Sequence, residues 1–253
     1  MHPVADGRVP PGAREITTGQ ANRVWYVDQP SPYVLKHYGD PARAANEAAA
    51  LRLLAAHHIP APRLLAIAPG YHPGWTAQTA VHPDPVAAEH LLDELAEPLA
   101  AIHQVPGTHF GRLAGARRYP TWPSYLHNRL AHYAAAAPHL APEAAELHDQ
   151  LDALAPDPEP RLLHHDLQPG HLVRQPDGTR LLLDWELAAF GDPLSDLARL
   201  AVRLRHASTA TVAGLAADPG PGAEERLHLY WRIHRLADRA LAPGSRSQFR
   251  GRS

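Results

Sequence analysis

The sequence predicts an α+β fold in two lobes: a small β-rich N-lobe with one helix, residues 1–82, and a larger, mainly helical C-lobe, residues 83–253. Three observations predict it. Short β-rich segments fill the first third of the chain, helical periodicity takes over after residue 86, and a hairpin flanked by acids is inserted at 164–196.

Residues 1–13 read as a loose arm. Segments 21–28 (ANRVWYVD) and 33–38 (YVLKHY) are rich in β-branched and aromatic residues, and Gln29-Pro30-Ser31-Pro32 between them marks a hairpin. Asp40-Pro41 opens a helix, the Asp as N-cap and the Pro at the first helical position, and Ile59-Pro60-Ala61-Pro62 closes it after about His57. Segments 63–68 and 75–81 suit two further strands. Helices are predicted over 86–103, with Pro98 expected to kink the first, and over 122–138 and 142–154. Another opens at Asp192-Pro193 and runs to about His206, and the last spans 224–241. Residues 207–223, rich in Ala, Gly and Pro, read as a mobile loop, and 244–253 as a disordered tail.

Composition excludes whole classes of function. The chain has 253 residues and no cysteine, which removes disulfides, iron–sulfur clusters and thiolate zinc sites. A net charge of −2 gives no general attraction to nucleic acid or anionic membrane. The start carries no signal-like pattern and no apolar run reaches membrane-spanning length, so a cytoplasmic location is expected. Basic residues are lopsided: of 24, only Lys36 is a lysine. On the helix after its strand, Glu47 shares the apolar stripe of Ala44, Leu51 and Leu54. A carboxylate there needs a partner, and Lys36 is the nearby cation.

The segment His164–Asp196 concentrates the chemistry. Two apolar runs flank the turn Gln175-Pro176-Asp177-Gly178. A two-residue turn would set His171 opposite Asp184, and a wider one opposite Leu182. Either way His171 and Asp184 share one end of the ribbon, with Asp166 just upstream. A base for an attacking hydroxyl and oxygen ligands for Mg²⁺ are what phosphoryl transfer needs.

These residues resemble the aminoglycoside phosphotransferase family, the small-molecule branch of the protein-kinase-like fold. The His-x-Asp pattern is met by His164 and Asp166, followed by Leu167. The strand-end acid pattern is met by Asp184-Trp185-Glu186, and Gly191-Asp192-Pro193 and Asp196-Leu197-Ala198 follow suit. Lys36 and Glu47 match the family's Lys–Glu pair, and Leu99–His103 resembles the helix end before its substrate region. The likeness covers about residues 15–240.

The resemblance implies a two-lobed protein-kinase-like fold and an ATP- or GTP-dependent phosphotransferase acting on a hydroxyl of a small molecule, with Mg²⁺ or Mn²⁺. It implies Asp166 as the catalytic base, Asp184 as metal ligand, and Lys36, positioned by Glu47, on the α- and β-phosphates. The turn Gly19-Gln20-Ala21-Asn22 would cover the phosphates, with Gly19, Gln20 and Asn22 as contacts, and Gln78 to Val81, through Gln78 and Ala80, would meet the base.

The pattern breaks at position 171, where the family's metal-binding Asn is His171. Three readings follow: His171 binds phosphate or water, it ligates a metal with Mn²⁺ preferred, or the protein is a nucleotide-binding pseudokinase. His165 also replaces a small residue, and a zinc site from His164, His165 and His171 is the weaker alternative to structural roles. Asp192 reads as a helix cap and Asp196 as a brace for the catalytic loop. After Leu197, ten Arg stand against Asp218, Glu224, Glu225 and Asp238. That balance suits a neutral or anionic acceptor, such as a nucleoside, sugar, macrolide or amino-alcohol, at least as well as a polycation. Antibiotic inactivation, metabolite biosynthesis, and phosphorylation of Ser/Thr in a biosynthetic peptide with a partner enzyme stay open as settings.

Overall fold

Periodicity of two in the first strands builds a sheet with two unlike faces. The computed structural model describes residues 6–16, 22–28, 31–70, 74–81, 84–154, 158–206, 208–217 and 219–242. Strands β1 (Arg14–Glu15), β2 (Asn22–Val27), β3 (Tyr33–Tyr38), β4 (Leu64–Ile67) and β5 (Trp75–Thr79) form one antiparallel sheet in the order β1-β2-β3-β5-β4. Leu35 pairs with Trp25 on one side and Ala77 on the other, so with Val27 and Tyr33 they form a buried apolar face. Lys36 pairs with Val24 and Thr76, and Val34 with Gln78, so Lys36, Tyr38, Thr76 and Gln78 share the opposite, polar face.

Helix α1 (Pro41–Ala56) packs against β3, β4 and β5. Its start follows the expected chemistry: Asp40 is extended and its carboxylate accepts the Ala42 N–H at 2.9 Å. The N-terminal arm is less loose than expected. The His37 ring meets the Gly7 carbonyl at 2.8 Å, and just beyond the arm β1 pairs with β2. Residues 1–5 and the turn at 29–30 lie outside the described residues.

The chain divides into two compact units. The first unit joins residues 1–102 to 112–116 and 169–188; the second holds 103–111, 117–168 and 189–253. Helix α2 (Leu91–His103) and the hairpin of β8 (Leu172–Arg174) and β9 (Arg180–Leu182) therefore group with the sheet. Ion pairs explain the company they keep: Glu94 accepts from Arg174 and Arg180, and Glu97 meets Arg180 at 3.0 Å. The helix expected from residue 86 begins later. Val86 donates its N–H to Leu172 at 3.1 Å and Pro85 bridges Val173, so the chain is extended against β8 before α2 starts. Pro98 sits inside α2.

After the short strand β6 (Gly111–Arg112), the second unit carries helices α3 (Trp122–Ala136) and α4 (Ala141–Asp152), strands β7 (Arg161–Leu163) and β10 (Ala189–Gly191), and helices α5 (Leu194–Arg203), α6 (Ala210–Ala213) and α7 (Ala223–Leu241). α6 corrects the expected 207–223 loop: an Ala-rich turn buries Val212 completely and so holds a helical conformation. The tail beyond residue 242 lies outside the described residues. α5 packs on α7, and α3 packs on α4 and α7. Thr121 and Ser124 form a capping box at the start of α3. Fully buried Trp122 stacks on Tyr125 and meets Tyr230 edge-on at 6.3 Å. Among the described residues no helix is long and apolar enough to cross a membrane.

Gly191 lies against that tryptophan, and a Cβ there would stand 2.4 Å from the ring. Gly191→Ala is therefore expected to destabilise the protein by about 1–3 kcal/mol through overpacking. Chemical denaturation checks this, and an unchanged midpoint would show that the ring yields freely.

Candidate active site

The end of the hairpin is set by its turn. Gly178 takes the left-handed conformation and donates to Gln175 at 2.9 Å, while Asp177 accepts from the Thr179 N–H. The loop thus uses three residues, Pro176 to Gly178. Leu172 pairs with Leu182, and Leu183 donates to the His171 carbonyl at 2.8 Å. His171 therefore lies opposite Leu183, between the two registers expected from the sequence. Asp184 follows in a left-handed conformation (φ 66°), which an Asp tolerates better than most residues. The bend leaves its Oδ2 3.7 Å from His171 Nε2.

Lys36 reaches this acid from the central strand. Its ammonium lies 2.9 Å from Glu47, 2.6 Å from Asp184 and 3.2 Å from Glu186. Glu47 also accepts from the Tyr38 hydroxyl, which bonds Thr76 at 2.9 Å, and Lys36 lies over the Tyr38 ring. Arg43, one turn before Glu47 on α1, holds Glu186 at 2.6 Å, and Asn22 donates to the same carboxylate. Asn46 fixes the turn after Asp184, donating to the carbonyls of Glu186 at 3.0 Å and Ala188 at 2.8 Å.

Burial pulls the Lys36 pKa down, but the surrounding Glu47, Tyr38, Asp184 and Glu186 outweigh it and hold the pKa well above the ordinary value. Glu47 is pushed up by burial and pulled further down by the Lys36 charge and by hydrogen bonds from Lys36, Tyr38 and Gln78, so it ends below the usual carboxylate value. Asp184 ends above it: burial and the repulsion of Glu47 and Glu186 exceed the pull of Lys36. Two cations, Lys36 and Arg43, face three carboxylates, so the cluster carries one surplus negative charge. Glu47, Asp184 and Glu186 each bring an oxygen within 4.8 Å of the others, a donor set of hard ligands that fits Mg²⁺ or Mn²⁺. Asp184 is the most accessible of the three.

In the second unit β7 leads into His164-His165-Asp166. Asp196 accepts the backbone N–H of His164 at 2.9 Å and of His165 at 2.6 Å, and meets the His103 ring at 3.1 Å, which is the expected brace. The buried His164 ring accepts the Asp166 N–H at 3.2 Å, a structural use. His165, left-handed (φ 65°), joins Ser195 at 3.2 Å, which in turn bonds His234 at 3.0 Å. Asp192 caps α5 through Leu194 and also receives Arg226 and Tyr230 from α7, both at 3.0 Å. Burial leads the rise of its pKa, against the pull of the Leu194 N–H and Arg226.

Gly19 and Gln20 lie outside the described residues. Gln78 is buried on the polar face of the sheet, and Ala80 sits just past β5 with its N–H toward Pro32. Sequence reasoning missed Arg43, Asn46 and Glu186 as members of the cluster. Their signal was present: Arg43 lies one turn before Glu47, Asn46 is a polar residue in an Ala-rich stretch, and Glu186 follows Asp184 by two.

Residues 12–230 match the model of the "Phosphotransferase enzyme family". No curated protein matches the chain by sequence. Solved structures share the fold. A thermostable mutant of aminoglycoside phosphotransferase APH(4)-Ia, 19% identical, superposes with a TM-score of 0.67 over 90% of this chain and 86% of its own. A fructosamine-3-kinase from Haemophilus somnus, 17% identical, gives 0.64 over 90% of each chain. The macrolide 2'-phosphotransferase MphH of Brachybacterium faecium, 23% identical, gives 0.60 over 92% of this chain and 88% of its own.

Two carboxylates on one ammonium should act on stability with opposite signs. Glu47, its pKa lowered, stabilises the fold above the unfolded carboxylate value and loses that contribution as pH falls through its folded value. Asp184, its pKa raised, favours the fold at acid pH and loses that contribution as pH rises through its folded value. Glu47→Gln is therefore expected to lower the melting temperature at neutral pH and Asp184→Asn to raise it. Both differences should shrink toward acid pH in melting curves taken across the carboxylate range; the same sign for both variants would contradict the assignment.

Proposed function

The chain belongs to the phosphotransferase enzyme family, and on that premise we propose that it moves the γ-phosphate of ATP or GTP to a hydroxyl of a small molecule. Nucleotide use draws support from the APH(4)-Ia structures, which hold ADP or AMP-PNP together with hygromycin B. The observation that carries the reading is the Lys36 ammonium, buried and charged, 2.9 Å from Glu47 and 2.6 Å from Asp184. A cation kept protonated at the edge of an acid cluster is suited to phosphate oxygens.

The roles follow the chemistry of each side chain. Lys36, held by Glu47, binds α- and β-phosphate oxygens. Asp184 would hold Mg²⁺ or Mn²⁺, and His171, whose ring lies 3.7 Å from it, would take a phosphate oxygen or a water. When bound, the metal ion supplies charge neutralisation on the phosphates. Gly19, Gln20 and Asn22 cover the phosphates, and Gln78 and Ala80 meet the nucleotide base. Asp166 takes the proton of the acceptor hydroxyl as that oxygen bonds the γ-phosphorus. The bond from the γ-phosphorus to the bridging oxygen breaks, its electron pair leaving with the nucleoside diphosphate.

Incubation with ATP or GTP, Mg²⁺ or Mn²⁺ and a library of hydroxyl compounds, read by mass spectrometry for phosphate gain, tests this. Asp166→Asn is expected to cut turnover by roughly 10²–10⁴-fold while keeping the nucleotide-induced rise in melting temperature. Unchanged turnover in that variant would remove Asp166 as the base.

A further inference from the structure

The Asp166 carboxylate stands among arginines. Arg203 donates to its Oδ1 through Nε at 3.2 Å and Nη2 at 2.8 Å, and Arg199 lies 3.8 Å from the same oxygen. Both arginines rise from one face of α5, four residues apart. Arg199 is also committed to Asp238 of α7 at 2.6 Å. Arg203 has no other carboxylate partner among the described residues, and its side chain remains 31% exposed. Just past the C-terminal end of α5, Arg205 and His206 line a cavity of about 480 Å³, walled on the α7 side by Trp231, Arg235 and Asp238. Arg235 lies over the Trp231 ring at 4.6 Å, and among the described residues neither Arg205 nor Arg235 forms an ion pair.

A cationic acceptor brought to Asp166 would meet these guanidinium groups as like charges. A carboxylate or phosphate would offer the Arg203 fork two oxygens, where Asp166 now gives both of its N–H groups the single Oδ1. We propose that the acceptor carries an anionic oxyacid group, a carboxylate or a phosphate, that Arg203 takes in exchange for Asp166. The exchange frees the Asp166 carboxylate for the hydroxyl proton only when an acceptor of the right charge is present. Arg205 and Arg235 give the neighbouring cavity the same preference. The inference rests on Asp166 as the base in the proposed reaction, and it makes Arg203 a residue that selects the substrate.

The test uses the full chain, labelled at arginine nitrogen and loaded with a non-hydrolysable ATP analogue and Mg²⁺. Inorganic phosphate and malonate are titrated in separate arms, and the Arg203 Nε–H resonance is followed. Saturable shifts with phosphate alone assign a phosphate group, and shifts with malonate alone or with both assign the carboxylate or the wider oxyacid class. Followed at the Arg199 Nε–H resonance, which the variants retain, Arg203→Gln is expected to weaken that binding by about ten-fold or more, with Arg203→Lys between it and the wild type. Melting temperature and nucleotide affinity confirm that each variant is folded, and the Lys variant keeps the comparison should the Gln variant fail to fold. No shift with either anion, equal binding in Arg203→Gln, or tighter binding of glucosamine at the same resonance would overturn the proposal. Failure of the nucleotide to load would count against the kinase reading instead, and anion titration of the nucleotide-free chain would still decide the Arg203 site.

Discussion

The first unit is organised around one buried ammonium. Lys36 is 6% exposed and sits among Glu47, Asp184 and Glu186, with a tyrosine ring beneath it. Removing a charge from water costs several kcal/mol per ion, so such a group persists only where its partners are fixed. The fold fixes them from three directions. Glu47 comes from a helix laid on the sheet, Asp184 from a left-handed residue at a strand end, and Glu186 from the turn that Asn46 ties to α1. Each carboxylate is thereby held near another, an arrangement that opposes folding unless a cation shares the space. The surplus negative charge reads as a feature of function rather than of stability.

The second unit treats its acid differently. Asp166 is held by two arginines, and the backbone around it is held by Asp196. The same side-chain type therefore sits in different company: Asp184 beside two further carboxylates that share Lys36, Asp166 beside two arginines, one of them also paired with Asp238. Under the proposed reaction, the first setting suits a metal ligand and the second a base that faces an anionic acceptor.

Much of this was legible in the chain. The strands at 22–27 and 33–38 follow from their β-branched and aromatic residues, and α1 from its Asp-Pro start. The Lys36–Glu47 pair was legible because a carboxylate on an apolar stripe demands a cation. The hairpin register was not. Asp177-Gly178 promises a two-residue turn, yet Pro176 at the first corner position and a left-handed Gly178 make a three-residue one, and the difference depends on backbone geometry. Helix α6 was hidden because the Ala, Gly and Pro content of residues 207–223 reads as loop, while burial of Val212 decides the matter. The arginines at Asp166 were visible as a charge count, but which carboxylate they would meet depends on the packing of α5.

The central claim is that Lys36 is held ready for phosphate. Calorimetric titration of ATP and GTP into wild-type protein and Lys36→Met, with and without Mg²⁺ or Mn²⁺, tests it most directly. The account predicts binding that depends on the divalent cation and weakens by about 10²-fold or more in the variant. Equal affinity in the two proteins, or binding indifferent to the cation, would contradict it.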